Sequence, residues 1–251
     1  MCGRYVIISS PEAFRRLFGY PEQPNFPPRY NVAPTQAVPI VRLAEGKRQF
    51  ALVRWGLIPS WVKDPRTFSL LINARGESVV EKPAFRAAMK RRRCLFLTDG
   101  FYEWKQEGDR KRPFFARPKS GGPMAFAGLW ETWTGPNGEE QETAAIVTTE
   151  ANRTCSVVHH RMPVIIEPSG FDFWLDCANI DAKTAAAAIM PAREDLLEVY
   201  EISPAVNRVA NDTAALLAPV SASPAPPEPQ TPAPKPKRRK VDKANTQGSL
   251  F

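Results

Sequence analysis

The sequence predicts a single α+β domain with curved, barrel-like, mostly antiparallel β-sheets flanked by helices. Short segments rich in aromatic and β-branched residues recur through the first 150 positions, which is typical of strands. Brief turns such as "EGD" and "PNGE" separate several of them, as in antiparallel sheets. Helical patterns are few and short, and these observations together favour sheets with helices at their flanks.

The chain opens with a strand-like segment, "CGRYVIIS", followed by the helical pattern "SSPEAFRRLFG". Ser10 is a typical N-cap, Pro11 suits the first helical position, and Gly19 suits the end of the helix. The next segment, residues 20–35, is rich in proline and predicts a loop.

The middle of the chain predicts a β-hairpin, one helix and a series of strands. "AVPIVRL" and "RQFALVRWGL" flank the turn "AEGK", and "EKPAFRAAMKRR" predicts a short helix that ends in cations. The run Lys90–Arg93 is expected to be the solvated end of that helix. The later strands are "CLFLT", "FYEWK", "PFFARP", "MAFAGLWETW" and "ETAAIVTTE", and two late helices are "DFWLDC" and "DAKTAAAAIM".

Two regions differ in composition. Residues 1–220 have the composition of a globular domain, whereas residues 221–251 are rich in Pro, Ala and Lys without apolar periodicity. Such a segment cannot bury a core, so we predict a disordered tail.

Charge and cysteine content limit the classes of function. The net charge is +8, which suits a nucleic-acid partner. The four cysteines share no CxxC spacing and the two histidines are adjacent, so we expect neither a metal site nor a cofactor. No signal peptide and no apolar run of about 18 residues is evident, so we expect a protein in a reducing compartment without membrane contact. We also expect a monomer.

Several polar residues stand in or beside apolar strand segments. Asn73 and Arg75 are two positions apart and would share a strand face. Glu103 lies between aromatic residues, and His159 precedes an apolar strand. Together with Cys2 these residues are the parts of a thiol-based site: a nucleophile, two acid–base groups and a hydrogen-bond donor.

Each of these residues also has a purely structural explanation. Asn73 could cap a turn, and Glu103 could pair with a nearby arginine. One residue of the pair His159 and His160 is expected to be structural, because adjacent strand residues point to opposite faces. Cys2 could be a small buried side chain.

Nine segments, taken in order, resemble the SRAP family, the SOS response-associated peptidases. They are "MCGRY", "RYNVAPTQ", "RWGLIPSW", "INARGES", "TDGFYEWK", "PFFARP", "AGLWE", "IVTTEAN" and "HHRMPVII". The later segment "AVNRVANDT" extends the resemblance to about Pro219, so it covers essentially the whole predicted domain.

The resemblance implies a protein that removes Met1, exposes Cys2 as the nucleophile and crosslinks to abasic sites in single-stranded DNA. It implies that Asn73 and Glu103 are the active-site asparagine and the catalytic glutamate. The histidine of the family's His-x-Arg-Met-Pro motif falls on His159, with His160 at the variable position.

The resemblance also implies residues that contact DNA. Arg4 and Arg75 match phosphate contacts, and Trp61 lies in the loop that faces DNA. Thr148, Thr149 and Arg161 are further candidates at the same site.

The chemistry explains why position 2 matters. An open abasic sugar carries an aldehyde, which an amine converts to an imine. A thiol on the neighbouring carbon can then close a five-membered thiazolidine, and only an N-terminal cysteine offers both groups at that spacing. An α-amine has a pKa near 7.7–8.0, so much more of it is unprotonated at neutral pH than of a lysine.

The last five residues, "QGSLF", resemble peptides that dock on the bacterial sliding clamp, with Gln247, Leu250 and Phe251 as the motif. A long tether ending in such an anchor would raise the local concentration of the domain at replication forks. We expect a cytoplasmic, nucleoid-associated protein in a bacterium and a nuclear one in a eukaryote.

Two other functions stay open at this point. The first is a thiol hydrolase that acts on other proteins, with Cys2 as its nucleophile. The second is a non-catalytic adaptor that binds single strands and docks on the clamp.

Overall fold

The computed structural model describes residues 2–220, which contain thirteen strands and five α-helices. The strands are β1 Arg4–Ile7, β2 Arg29–Val32, β3 Ala37–Ala44, β4 Lys47–Trp55, β5 Asn73–Arg75, β6 Arg93–Thr98, β7 Gly100–Glu107, β8 Arg110–Pro118, β9 Met124–Thr134, β10 Glu140–Glu150, β11 Arg161–Pro163, β12 Ile165–Ile166 and β13 Leu197–Glu201. The helices are α1 Pro11–Phe18, α2 Arg86–Arg91, α3 Arg153–Ser156, α4 Phe171–Leu175 and α5 Ala182–Ala185.

Five strands close into a barrel in the order β10-β4-β3-β6-β9. Strand β10 completes the ring because it pairs with β4 in parallel and with β9 in antiparallel orientation. The short strands β5 and β11 also pair with β10, and β12 pairs with β9. The predicted barrel-like, mostly antiparallel architecture is therefore confirmed.

A second, fully antiparallel sheet has the order β13-β8-β7-β1-β2. The ring of Tyr5 on β1 joins this sheet to the barrel, because it packs edge-on against Trp55 at 5.1 Å and Phe126 at 6.2 Å between ring centroids. The barrel and the sheet thus share one apolar core, and the N-terminal strand lies within it.

Helix α1 confirms its predicted signals. The Ser10 hydroxyl accepts a hydrogen bond from the backbone N–H of Ala13 at 3.2 Å, and Pro11 occupies the first turn. Gly19 ends the helix in the left-handed region with φ of 70°, where glycine carries no steric cost.

The loop predicted over residues 20–35 is wrong in part, because Arg29–Val32 forms β2. Proline-free sequence between Pro28 and Pro34 leaves these four residues free to hydrogen-bond. They pair with β1, for example Val32 with Tyr5, and become the outer strand of the second sheet.

The prediction that the whole run Lys90–Arg93 is solvated is wrong for Arg93, which is buried in β6. Its guanidinium donates to four backbone carbonyls, those of Met89, Trp174, Asp176 and Ile180, at 2.6–2.9 Å. A buried guanidinium needs such partners, and here they tie α2 to the segment that follows α4. Burial lowers the pKa of Arg93.

The predicted helices exist but are shorter than their sequence patterns. The late alanine-rich pattern, for example, forms only α5 followed by a 3₁₀ turn over Ala186–Ala188. Among residues 2–220, no helix has the length and apolarity that crossing a membrane requires.

Candidate active site

Cys2 lies just before β1 and is completely buried. Its carbonyl accepts a hydrogen bond from the Asn73 amide at 2.9 Å, and its thiol donates to the carbonyl of Arg4 at 3.7 Å. Burial raises the pKa of the Cys2 thiol far above its usual value, and the negative charge of Glu103 adds to the rise. The residue is therefore held by its main chain with a protonated thiol.

Asn73 reaches Cys2 from the barrel side. It begins β5, which is held in register by parallel pairing of Asn73 with Ile146 of β10. The side-chain nitrogen is used on Cys2, while the side-chain oxygen is buried and accepts no hydrogen bond from the residues that the structure describes. A buried acceptor of this kind can receive an N–H group from a neighbouring residue or ligand.

Glu103 reaches the same place from the second sheet. Arg4 of β1 pairs with Tyr102 of β7, so the next residue along β7 lies on the Cys2 side of that pair. Only 7% of Glu103 is exposed, and burial raises its pKa to about 7. Its carboxyl group can therefore both donate and accept a proton at neutral pH.

His159 lies between α3 and β11. Its Nδ1 accepts the backbone N–H of Arg161 at 2.9 Å, so the neutral ring carries its proton on Nε2. Burial lowers the pKa of His159, which favours this neutral form. His160 stacks on it with ring centroids 4.5 Å apart but is exposed, so the two rings have different surroundings.

Arg161 is buried and has protein partners in the turn after β5 and on β10. Its guanidinium forms a bidentate ion pair with Glu77, one of whose bonds measures 2.9 Å. It also donates to the carbonyl of Thr148 at 2.8 Å. Thr148 and Thr149 are themselves buried on β10. The predicted DNA contacts by these three residues stay predictions, and the structure adds a positioning contact for Arg161.

The remaining predicted DNA contacts are more accessible. Arg75 is exposed at the end of β5. Arg4 is half-buried, and one of its nitrogens donates to the side chain of Asn31 at 2.8 Å and to the carbonyl of Val206 at 3.1 Å. Trp61 is 58% exposed in the loop between β4 and β5.

Trp61 packs edge-on against Phe68 at 5.6 Å between ring centroids. Within residues 2–220, no hydrogen bond or ring contact joins Trp61 to Cys2, Asn73 or Glu103. The structure thus brings Cys2, Asn73 and Glu103 together and leaves Trp61 on the exposed β4–β5 loop. The predicted clamp motif, Gln247, Leu250 and Phe251, lies outside the described residues.

Three site residues were missed by sequence reasoning. Asn31 holds Arg4 and donates to carbonyls of the segment "AVNRVANDT", and Glu77 holds Arg161. Cys155 is buried and lines a cavity of about 10 Å³ with Glu103 and Arg161. Asn31 and Glu77 lie inside the quoted segments "RYNVAPTQ" and "INARGES", and their place in these segments was the available signal.

Burial also raises the pKa of Cys155, to about 12, and the nearby charge of Glu103 adds to this rise. Across residues 2–220, no group of three or more His, Cys, Asp or Glu side chains is placed to hold a metal ion.

The fold and the site define a class of protein: a closed barrel joined to an antiparallel sheet, with a cysteine at position 2 beside a buried carboxyl group. Residues 1–209 match the family described as SOS response associated peptidase (SRAP). The chain therefore belongs to the SRAP family, as the resemblance predicted.

Individual relatives agree with this assignment. The chain is 35% identical to abasic site processing protein YoqW of Bacillus subtilis (strain 168) over 86% of this chain and 99% of that protein. It is 30% identical to abasic site processing protein HMCES of Gallus gallus over 88% of this chain and 78% of that protein. A crystal structure of a protein from Bacteroides thetaiotaomicron matches with a TM-score of 0.76 at 25% identity, over 87% of this chain and 99% of that chain.

Proposed function

We propose that this protein recognises abasic sites in single-stranded DNA and links to them covalently through Cys2 after Met1 has been removed. The observation that carries the proposal is the hydrogen bond from the Asn73 amide to the main-chain carbonyl of Cys2, beside a buried Glu103 whose pKa is raised to about 7. The names of the relatives, abasic site processing proteins, support the same substrate.

The reaction begins at the α-amine of Cys2. The amine attacks the aldehyde carbon of the open sugar and forms a carbinolamine, which loses water to give an imine. The Cys2 thiol then adds to the imine carbon, and its proton passes to the nitrogen. The thiazolidine that results accounts for all atoms of the amine, thiol and aldehyde except the one water released.

The state of the thiol supports this order of events. Because burial and the charge of Glu103 keep the pKa of Cys2 high, the thiol is a poor first nucleophile. An unprotonated α-amine is available near neutral pH, so it attacks first and the thiol closes the ring.

Asn73 supports the attack by orientation. Its amide nitrogen already fixes the carbonyl of Cys2, and its buried oxygen accepts nothing from the described residues. In the processed protein that oxygen would accept a hydrogen bond from the Cys2 amine. This bond would orient the lone pair of the amine nitrogen toward the aldehyde carbon. The hydrogen-bond donor that the sequence predicts at Asn73 is thus used to position Cys2.

Glu103 and His159 move protons. Loss of water from the carbinolamine needs an acid, and Glu103 retains its proton up to about pH 7. His159 presents Nε2–H as a donor, because its Nδ1 is occupied by the N–H of Arg161. That donor suits the ring oxygen of the sugar as the ring opens.

DNA is held by charge and stacking. The exposed guanidinium of Arg75 and the half-buried one of Arg4 are suited to phosphates, and the exposed Trp61 is suited to a base. An imine next to a β-phosphate also permits strand cleavage by β-elimination. Lyase activity is therefore a side reaction of the same site, which ring closure suppresses.

The competing proposal, a thiol hydrolase acting on other proteins, needs a reactive thiolate. Thiol hydrolases lower the pKa of their cysteine with a neighbouring cation or a helix N-terminus. At Cys2 both the burial and the adjacent carboxylate act in the opposite direction. The electrostatics of the site therefore favour amine-first chemistry.

The test is a denaturing gel of protein mixed with a single-stranded oligonucleotide that contains one abasic site. We expect a heat-stable band of reduced mobility and an intact mass that lacks Met1. Cys2→Ala should abolish the band, because it removes the thiol that stabilises the adduct.

Cys177→Ala is the matched control. Cys177 is the most accessible of the four cysteines, so a nonspecific thiol adduct would form there first. The control should crosslink like the parent protein. Retention of Met1 together with absence of the band in the parent would refute the proposal.

A further inference from the structure

A groove of about 700 Å³ lies between α2 and α5, apart from the residues of the candidate active site. Its apolar lining consists of Val80, Ala87, Ala178 and Ala182. We call this surface the α2–α5 groove, and it is open to solvent.

The α2–α5 groove is bordered by four exposed cations, Arg86, Lys90, Arg91 and Lys183. Within residues 2–220 none of the four forms an ion pair. The lone acid in the lining, Asp181, uses its carboxylate to cap α5, accepting from the N–H groups of Lys183 and Thr184 at 2.8 and 2.9 Å. The groove therefore presents a surplus of unpaired positive charge.

A short segment of the chain runs from the candidate active site to this groove. Strand β5 carries Asn73 and ends at the exposed Arg75, and the turn Gly76–Ser78 leads directly to Val80 at the groove. Five residues span at most about 17 Å, so the edge of the groove lies within that distance of Arg75. At about 3.4 Å per nucleotide, a DNA strand covers the gap with about five nucleotides.

We infer that the α2–α5 groove binds the phosphodiester backbone of the DNA strand that leaves the abasic site on one side. The inference rests on the proposed function, because it requires the abasic nucleotide to lie at Cys2. Four cations complement successive phosphates, and the apolar lining offers contact area for sugars and base faces. An acidic protein segment would also complement the positive charge of the groove. The short distance from Arg75 to the groove favours the DNA strand, because that strand already lies at the candidate active site in the proposed function.

The experiment measures affinity for a tetrahydrofuran analogue of the abasic site, which cannot crosslink. Two oligonucleotides carry a long arm of about ten nucleotides on the 5′ or the 3′ side and a very short arm on the other. The groove variant is Arg86→Ala/Lys90→Ala/Lys183→Ala, and all three side chains are exposed. The control variant, Arg16→Ala/Lys47→Ala/Lys119→Ala, removes the same charge from exposed positions elsewhere.

We expect the groove variant to bind one of the two oligonucleotides more weakly and the other like the parent. Loss of three phosphate contacts should reduce the log–log salt slope of that oligonucleotide by about 2. The ratio of parent to variant affinity should therefore fall about 20-fold between 50 and 200 mM salt. The control variant should change both oligonucleotides equally and only slightly.

Equal affinities of parent and groove variant for both oligonucleotides would overturn the inference, as would an equal loss on both. Binding of a polyglutamate peptide to the parent, without any arm-dependent effect on DNA, would assign the groove to an acidic protein segment instead. The groove variant should still crosslink a short abasic oligonucleotide. If the parent itself fails to crosslink, the proposed function fails whatever the affinities show.

Discussion

In the proposed reaction, Cys2 supplies two functional groups, an α-amine and a thiol, whose order of action depends on their protonation. The thiol is kept protonated by burial and by Glu103, whereas a fraction of the α-amine is already unprotonated near neutral pH. Asn73 contributes geometry rather than charge, because its amide nitrogen is bonded to the Cys2 carbonyl. The proposed mechanism therefore divides nucleophile, positioning group and proton donor among three neighbouring residues, Cys2, Asn73 and Glu103.

The raised pKa of Glu103 predicts how the rate of crosslinking changes with pH. The rate should rise with pH as the α-amine loses its proton, and fall again above about pH 7–8 as Glu103 loses its own. Glu103→Gln should lower the rate by about 100-fold or more and remove the alkaline fall, because glutamine cannot release a proton. Single-turnover rates between pH 5 and 9 measure both effects.

Glu107→Gln is the control for that prediction. Glu107 lies on the same strand, is exposed, and has its pKa lowered by hydrogen bonds to Arg112 and Lys105. The control should keep the bell-shaped profile. An unchanged alkaline limb in Glu103→Gln would show that another group supplies the proton.

At the residue scale, the sequence predicted which side chains lie at the site better than it predicted their contacts. Cys2, Asn73 and Glu103 come together as expected, but the use of the Asn73 amide on Cys2 has no sequence signal. It depends on β5 pairing with β10 in parallel, and such a non-local pairing is invisible in a local pattern. The burial of Arg161 was hidden for the same reason, since its partner Glu77 is 84 positions away.

At the scale of elements, the ion pair between Glu77 and Arg161 joins the turn after β5 to the start of β11. The same Arg161 uses its backbone N–H to fix the tautomer of His159. Glu77 is thus a positioning residue that acts on His159 through Arg161. It touches neither Cys2 nor Glu103 in any hydrogen bond of the described residues.

Glu77→Gln removes the negative charge that offsets Arg161, and the uncompensated guanidinium should move the pKa of His159 further below its ordinary value. The crosslinking rate should fall, while Glu77→Asp should restore much of it by keeping the charge. Since half of the Glu77 side chain is exposed, solvent screens the pair and the loss of stability should be only about 1 kcal/mol.

NMR titration of the imidazole signals measures the pKa of His159 directly, because the chain has only two histidines. His160→Asn assigns the two signals. A His159 pKa that is identical in the parent and in Glu77→Gln would reduce the ion pair to a merely structural contact.

Elements with strong local signals were predicted well. The caps of α1 and the hairpin of β3 and β4 are encoded within a few residues of each other. Strand β2 was missed because the surrounding prolines dominate the local pattern, and its pairing with β1 lies 20 or more positions away. The burial of Arg93 was missed because one run of cations spans the end of α2 and the first residue of the buried strand β6.

At the scale of the whole molecule, the barrel followed from the number and spacing of its strands, but its closure did not. Closure depends on β10 pairing with both β9 and β4, which leaves no sequence pattern of its own. The same closure brings β5 and β11 to one strand, and so brings the segments of Asn73 and His159 toward each other. The barrel therefore supplies one half of the site through β10, and the second sheet supplies Cys2 and Glu103 through β1 and β7.

The tail beyond the described residues carries the prediction of clamp docking. Deletion of residues 247–251 should weaken binding to the bacterial sliding clamp and leave crosslinking unchanged, because the anchor and the reagent are in different parts of the chain. Surface-bound clamp and the denaturing gel measure the two activities separately. Equal clamp affinity with and without these five residues would remove the clamp from the list of partners.

The central claim is that Cys2 acts as both amine and thiol, and Cys2→Ser tests it most directly. After confirmation by mass that Met1 is absent, parent and variant are mixed with abasic single-stranded DNA and heated with or without prior borohydride treatment. We predict that the parent adduct survives heat without reductant, whereas the serine variant yields a stable adduct only after borohydride has reduced its imine. A serine adduct as heat-stable as that of the parent without reductant would contradict ring closure by the thiol.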